Sequence, residues 1–354
     1  RPLAPRAQAD LQKIHRGGNA EQYHADKKYK EAVKVAVEKC AADTKGQKCY
    51  ICLEAVHSRT GEGLVRGCAC GDRDGVHSPE LGVAHVSCLA EQAKILVAEA
   101  EENNLDDDDW TARWRRWDTC SLCEQDYHGI GFCALGWAGW KTYLGRETTD
   151  EQRFNAISLL GAGLRAAVPK GSAKRVVYCK AALGVFEAQL AELETFIQTQ
   201  RIALSCQELE RTRIGIMTNI ASCYADLGLD EKSLSTKRDI YARAEACNFP
   251  LENLVQLATN LANSLIASSH LAEAKIFLRQ IIRTGLDAFG PNHQGVLNLQ
   301  GRLGHACLQG AASRDDLVEA EKVLAEAKAE TAHAEAEAQK AAAEEAKARA
   351  EIKQ

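Results

Sequence analysis

Seven cysteines and one histidine stand in four close pairs between residues 49 and 123, and thiol and imidazole side chains at such spacing can ligate metal ions. The pairs are Cys49 with Cys52, Cys68 with Cys70, His85 with Cys88, and Cys120 with Cys123. Thiolate and imidazole groups are the ligands that Zn²⁺ prefers, and eight of them complete two tetrahedral sites with no open position. The pattern therefore predicts two structural zinc ions.

The spacing within each pair has a physical reason. Two residues between cysteines allow a tight knuckle that aims both thiolates at one ion, and His85 and Cys88 share one face of a helical turn. Gly67 and Gly71 flank the second pair and permit a turn there. Three further histidines lack such spacing from a cysteine and are expected to be solvated residues or loop residues: His57, His77 and His128.

The other seven of the fourteen cysteines are scattered singly along the chain. With no export signal in the sequence, paired cysteines indicate metal sites more often than disulfides. Lone cysteines at helical spacing usually act as small core hydrophobes. We expect that structural role for Cys40, Cys133, Cys179, Cys206, Cys223, Cys247 and Cys307.

Composition divides the chain into four segments and predicts a mostly α-helical fold. Residues 1–45 are a polar segment followed by one amphipathic helix, and residues 46–145 hold the cysteine pairs and all five tryptophans. Residues 150–312 show helix after helix with short breaks and no alternating strand pattern. Residues 313–354 are rich in Ala, Glu and Lys and are expected to form a solvated C-terminal helix.

The third segment contains an internal repeat. Residues 218–228 (TNIASCYADLG) and 259–269 (TNLANSLIASS) lie 41 residues apart, and 302–311 (RLGHACLQGA) follows at 42 or 43. Each offers a small residue at one position, Ala221, Ala262 or Gly304, where paired helices could approach closely. Helix–turn–helix units of this kind stack into a solenoid, because one unit cannot bury its apolar face alone.

The repeat resembles a tetratricopeptide array of the kinesin-light-chain type. Its N-L-A-x-x-Y-x-x-x-G pattern is matched by Asn219, Tyr224 and Gly228, whereas Ser269 replaces the second glycine. The resemblance implies a groove that binds a protein client. Helix positions three apart share a face, so four polar residues are candidates to line that groove: Asn219, Ser222, Asn260 and Asn263. An unrelated all-helical bundle is the alternative.

The order of the four metal-ligand pairs resembles a RING-CH, or RING-variant, zinc finger, with a PHD finger as the second choice. The resemblance implies a cross-brace in which the first and third pairs share one zinc and the second and fourth share the other. It also implies a ubiquitin-protein ligase that recruits a ubiquitin-conjugating enzyme, with Ile51 as the apolar contact. Gln92 replaces the family's tryptophan and Glu124 its basic residue, which favours the alternative of a non-enzymatic interaction scaffold.

Charge and hydropathy restrict the other functions. A net charge of -5 gives no basic excess for nucleic acid, and tryptophans beside Arg115 and Arg116 are more typical of a small metal module's core. No apolar run is long enough to span a membrane. We expect a cytoplasmic protein, with a nuclear location left open. The sequence starts at Arg1 without methionine, so an upstream targeting segment would not be visible.

Overall fold

The computed structural model describes residues 20–68, 70, 82–147, 150–199 and 206–310, together with 317, 318, 322 and 325. Residues 1–19, His77, Gly71 and nearly all of the expected C-terminal helix therefore lie outside the described residues. Within them the chain is mostly α-helical, as predicted. It forms two compact units that divide between Arg201 and Ile202.

The first unit contains two short strands and six α-helices among its described residues. In chain order they are α1 (Ala20–Cys40), β1 (Val65–Arg66), β2 (Val83–Ala84), α2 (Val86–Glu102), α3 (Asp107–Trp114), a 3₁₀ turn (Arg115–Trp117), α4 (Gly129–Tyr143), α5 (Glu151–Ala166) and α6 (Arg175–Thr199). The strands pair antiparallel, with Val65 opposite Ala84. This pairing matters for the site, because β1 leads into the second ligand pair and β2 into the third.

Helices α4 and α5 pack closely because both carry glycine at their contact. A Cβ on Gly136 would stand 3.0 Å from the Leu159 carbonyl oxygen, and one on Gly163 would stand 2.9 Å from the Phe132 oxygen. Through this contact Leu159 joins the same buried core as Trp117. Residues 150–199, which the sequence assigned to the repeats, thus pack in the first unit, and the domain boundary near 145–150 stays a prediction.

The second unit is built from helix–turn–helix elements. Its described helices are α7 (Cys206–Asp226), α8 (Asp230–Ala246), α9 (Leu251–Ala267), α10 (Leu271–Phe289) and α11 (Gln294–Gln309). The three repeated segments lie at the carboxyl ends of α7, α9 and α11. In each of these helices the small residue of the repeat is buried: Ala221, Ala262 and Gly304.

The first two repeats share one turn geometry. The Leu229 amide donates to the Tyr224 carbonyl at 2.9 Å, and 41 positions later the His270 amide donates to the Leu265 carbonyl at 2.8 Å. Gly228 occupies the left-handed region with φ 70°, and Ser269, which replaces the expected glycine, adopts φ 61°. The turn is therefore kept in the second repeat at the cost of a left-handed non-glycine residue.

No helix among the described residues is both long enough and apolar enough to cross a bilayer.

Candidate metal centre

Two knuckles with the same backbone hydrogen bonds hold the first and fourth ligand pairs. The Ile51 amide donates to Cys49 Sγ at 3.4 Å, and the Leu122 amide donates to Cys120 Sγ at the same distance. Two residues further on, Leu53 and Glu124 donate to the carbonyls of these cysteines, both at 2.9 Å. Leu53 and Glu124 also share a positive φ, 65° and 55°. Amides aimed at the sulfur favour the thiolate, which is the form that binds a metal.

The first candidate site gathers Cys49, Cys52, His85 and Cys88. One ligand atom from each lies within 4.8 Å of the others. His85 presents Nδ1 to the cluster, 3.4 Å from Cys52 Sγ and 3.7 Å from Cys88 Sγ. The imidazole is fully buried and stands immediately before α2, whose first turn carries Cys88.

The second candidate site gathers Cys68, Cys70, Cys120 and Cys123 within the same 4.8 Å limit. Cys70 Sγ and Cys120 Sγ are 3.5 Å apart. Gly82, which sequence analysis did not single out, lies against this cluster with φ 77°. A Cβ there would stand 2.8 Å from Cys68 Sγ and 2.6 Å from Cys70 Cβ, so only glycine fits.

Both donor sets suit zinc. A tetrahedral ion with Zn–S bonds of roughly 2.3 Å and Zn–N bonds of roughly 2.0 Å separates its ligand atoms by about 3.5 to 3.8 Å. The separations around His85 and between Cys70 and Cys120, 3.4 to 3.7 Å, fall close to that range. The structure brings the eight predicted ligands together as two groups of four, in the grouping that the resemblance implied.

The electrostatics of the clusters favour a divalent cation. Burial, aided by the neighbouring His57 ring, lowers the pKa of His85, so the neutral imidazole that can bind a metal predominates at pH 7. The hydrogen bond from Cys68 lowers the pKa of Cys120 to about 5, whereas burial raises the pKa of Cys70 to about 12. Thiolates this close repel one another, and a divalent cation supplies the charge that lets all of them ionise.

Groups around the ligands fix their positions. Glu62 accepts a hydrogen bond from the Tyr29 hydroxyl at 2.7 Å and another from the Ser87 amide at 3.0 Å. It thereby ties α1 to the first turn of α2, between His85 and Cys88. Sequence analysis missed Glu62, since its partners lie 33 and 25 residues away.

The other histidines differ from one another. His57 lies in a loop, as expected, and its side chain is buried. Its ring is edge-on to that of His85, with centroids 5.2 Å apart, and its Nδ1 accepts from the Thr60 amide at 3.2 Å. The loop that follows His57 forms a turn, in which the Gly61 amide donates to the His57 carbonyl at 2.8 Å. His128 is exposed, in line with the prediction.

An open groove of 660 Å³ runs beside the first site, between its knuckle and α2. Ile51 lines it from the knuckle, 37% exposed, and Ile95 lines it from α2, 48% exposed. Gln92 and His57 also line the groove, as do the ligands Cys52 and Cys88. The groove thus combines two accessible apolar side chains with a polar one, Gln92, which stands where RING-CH fingers have a tryptophan.

The four polar residues predicted to line a client groove are all half-buried on α7 and α9. Ser222 and Asn260 line one small pocket, together with Lys237 of α8, which sequence analysis did not select. Asn219 and Asn263 do not line that pocket. The structure therefore brings together two of the four.

No protein-family model matches the chain, and no curated protein matches it. Among solved structures, the chain is similar to a putative kinesin light chain from Podosopora anserina, whose TPR-like repeats are nearly identical to one another. The sequence identity is 16% and the TM-score is 0.44, over 70% of this chain and 97% of that chain. BtubC (BKLC) from P. vanneervenii gives 13% identity and TM-score 0.35, over 71% of this chain and 89% of that one. At these scores the superpositions are loose, and the description of the fold rests on the chain's own helices.

We expect native mass spectrometry at neutral pH to find two zinc ions per chain. Acidification should release them, because protons compete with the metal for thiolate and imidazole ligands. A count of zero or one in protein purified with zinc present would contradict two four-ligand sites.

Proposed function

We propose that this chain is a ubiquitin-protein ligase of the RING-CH type, in which the cysteine-rich region docks a ubiquitin-conjugating enzyme and the second unit binds a protein client. The observation that carries the proposal is the apolar groove beside the first ligand cluster. Ile51 projects there from the knuckle, at the position where the RING-CH resemblance places the contact with the conjugating enzyme.

In this proposal the protein positions the charged conjugating enzyme and the client for the transfer of ubiquitin. The bond that breaks is the thioester between ubiquitin and the conjugating enzyme, and the bond that forms is an amide to an amine of the client, with the enzyme thiol as leaving group. Bound zinc would supply structural rigidity to the knuckles and take no part in this exchange. Ile51 and Ile95 offer apolar surface for docking, and holding the reactants in one geometry lowers the entropic part of the barrier.

A direct test is the discharge of ubiquitin from a panel of charged conjugating enzymes to free lysine. We expect the full chain to accelerate discharge from at least one enzyme, and Ile51→Ala to reduce that acceleration at least tenfold. Ile276→Ala is the matched control, since Ile276 is an exposed isoleucine on α10 of the second unit. It should change the rate less than twofold.

Two outcomes would refute the ligase proposal. One is no acceleration with any enzyme by protein shown to hold two zinc ions. The other is an acceleration that Ile51→Ala leaves unchanged, because the activity would then not depend on the groove.

A non-enzymatic scaffold is the second candidate, and one observation favours it. Glu124 stands where RING-CH fingers carry a basic residue that bridges the conjugating enzyme and ubiquitin. The Glu124 carboxylate forms an ion pair with Arg116 at 3.0 Å. Arg116 is held close to the second knuckle, where it also donates to the Cys120 carbonyl at 3.3 Å. In this alternative the groove binds a protein and no ubiquitin is transferred.

A further inference from the structure

A turn beside the first candidate site places Arg59 on the wall of the open groove. The turn begins at His57, whose amide donates to the Glu62 carbonyl at 2.9 Å and whose carbonyl accepts from the Gly61 amide at 2.8 Å. The His57 side chain is buried, whereas Arg59 is exposed. The backbone that carries this exposed guanidinium is therefore fixed by hydrogen bonds and by the burial of His57.

Arg59 has no carboxylate partner within the described part of the chain. Glu54 and Glu62, on either side of the turn, accept hydrogen bonds from other groups at 2.9 and 2.7 Å. Glu91 is the carboxylate that lines the groove, and it forms an ion pair with Lys94 at 3.6 Å. Among the described charged residues that line the groove, Arg59 is thus the one that is left to bind an incoming partner.

The groove therefore suits a partner with two features side by side. Ile51 and Ile95 offer apolar contact, and Arg59 lines the same groove. A partner that covers the two isoleucines also removes water from the guanidinium. A carboxylate on that partner replaces the lost hydration with two parallel, charge-assisted hydrogen bonds. A cation at the same place is repelled.

We propose that Arg59 selects among ubiquitin-conjugating enzymes and favours those that carry a carboxylate beside the apolar residue that enters the groove. The inference rests on the proposed function and names the chemistry of the partner at that same groove. Since the net charge of the chain is -5, the chain as a whole repels an acidic surface, and a local cation is required to hold one.

The kinetics of binding distinguish the two parts of the groove. A charge at the edge of an interface acts mainly on the rate of association and on its dependence on salt, whereas most other interface changes act on the rate of dissociation. Arg59 should therefore control how fast the enzyme binds, and Ile51 how long it stays bound.

The test uses a panel of fluorescein-labelled conjugating enzymes without attached ubiquitin, mixed with the full chain purified with zinc and followed by stopped-flow fluorescence anisotropy. For enzymes that bind, Arg59→Glu should lower the association rate constant at least fivefold at low ionic strength. High salt should shrink this difference, because it screens exposed charges. Arg59→Lys keeps the charge without the planar fork and should lose less than Arg59→Glu.

Lys34→Glu is the matched control. Lys34 is an exposed lysine of α1 that does not line the groove, and its replacement changes the charge of the chain by the same amount. It should alter the association rate constant less than twofold. Native mass spectrometry should find two zinc ions in each variant, which separates loss of the contact from loss of the fold.

An exchange of charge identifies the partner group. Surface Asp and Glu residues of a binding enzyme are replaced by lysine one at a time. One such enzyme variant should bind Arg59→Glu faster than it binds the intact chain. If every lysine variant binds the intact chain faster than it binds Arg59→Glu, no carboxylate of the enzyme faces Arg59 and the inference is wrong.

The remaining outcomes separate this inference from the proposed function. Equal association rates for the intact chain and Arg59→Glu would overturn the inference, as would equal losses for Arg59→Glu and Lys34→Glu. If Ile51→Ala still speeds dissociation in that case, docking of the conjugating enzyme in the groove stands without a role for Arg59. Binding of no enzyme by the intact chain would overturn both.

Discussion

Replacement of Cys52 by serine is expected to remove zinc from the first site and to unfold the first compact unit. The Cys52 sulfur stands 3.4 Å from His85 Nδ1, and a serine hydroxyl does not ionise to replace it. Structural zinc contributes roughly 10–16 kcal/mol of binding free energy in zinc-finger peptides, comparable to or larger than the roughly 5–15 kcal/mol that stabilises a whole domain. The binding free energy lost with one zinc ion therefore exceeds the free energy of unfolding that would remain.

The unfolding should extend beyond the cysteine-rich segment. Helices α4 and α5 share a buried core with the ligands, so their amides should lose protection together with those near residue 49. Hydrogen exchange measures this, and amides of α7 to α11 should keep their protection because they belong to the other unit. Cys247→Ser, a change in that second unit, is the control and should retain two zinc ions. Unchanged protection in α2 and α4 of Cys52→Ser would contradict the structural role of the metal.

The second large effect is expected for Trp117→Ala. Trp117 is fully buried, and its ring packs edge-on against Tyr143 with centroids 5.8 Å apart. It joins the 3₁₀ turn before the fourth ligand pair to α4, where the indole lies in van der Waals contact with the Gly139 position. Truncation of a buried tryptophan to alanine costs about 3–5 kcal/mol, from lost burial and from the cavity that remains.

Urea unfolding at saturating zinc, followed by tryptophan fluorescence, measures this loss. Trp137→Ala is the matched control, because Trp137 is only partly buried and its nearest aromatic contact is His24 at a centroid distance of 6.3 Å. It should cost less than half as much as Trp117→Ala. Equal costs for the two variants would show that Trp117 is not central to this core.

Much of the candidate site is visible in the sequence, because its ligands come in close pairs. Two cysteines with two residues between them can bend toward one ion through local backbone hydrogen bonds, as in the knuckles at Cys49 and Cys120. Gly82 carried no such signal. Only glycine fits at position 82 because a Cβ there would contact Cys68 and Cys70. The segment that joins Cys70 to Gly82 lies outside the described residues.

The small pocket of the second unit was less visible in the sequence. Helix periodicity places Ser222 on one face of α7 and Asn260 on one face of α9, since residues three or four apart share a face. It does not show which faces of different helices meet. Lys237 enters the same pocket from α8, and only the packing of three helices reveals that its ammonium has no carboxylate partner there among the described residues.

The features that could be predicted from the sequence are those that depend on local geometry: the ligand types and pair spacings, the helical character of the chain, and the repeat of 41 residues. Backbone geometry imposes those periods, so they can be recognised without knowledge of distant contacts. Three features could be seen only in the folded structure: α5 packs in the first unit, His57 is buried beside His85, and Lys237 and Ser222 line one pocket. Each of these depends on segments far apart in the chain, whose meeting is fixed by packing of the whole core.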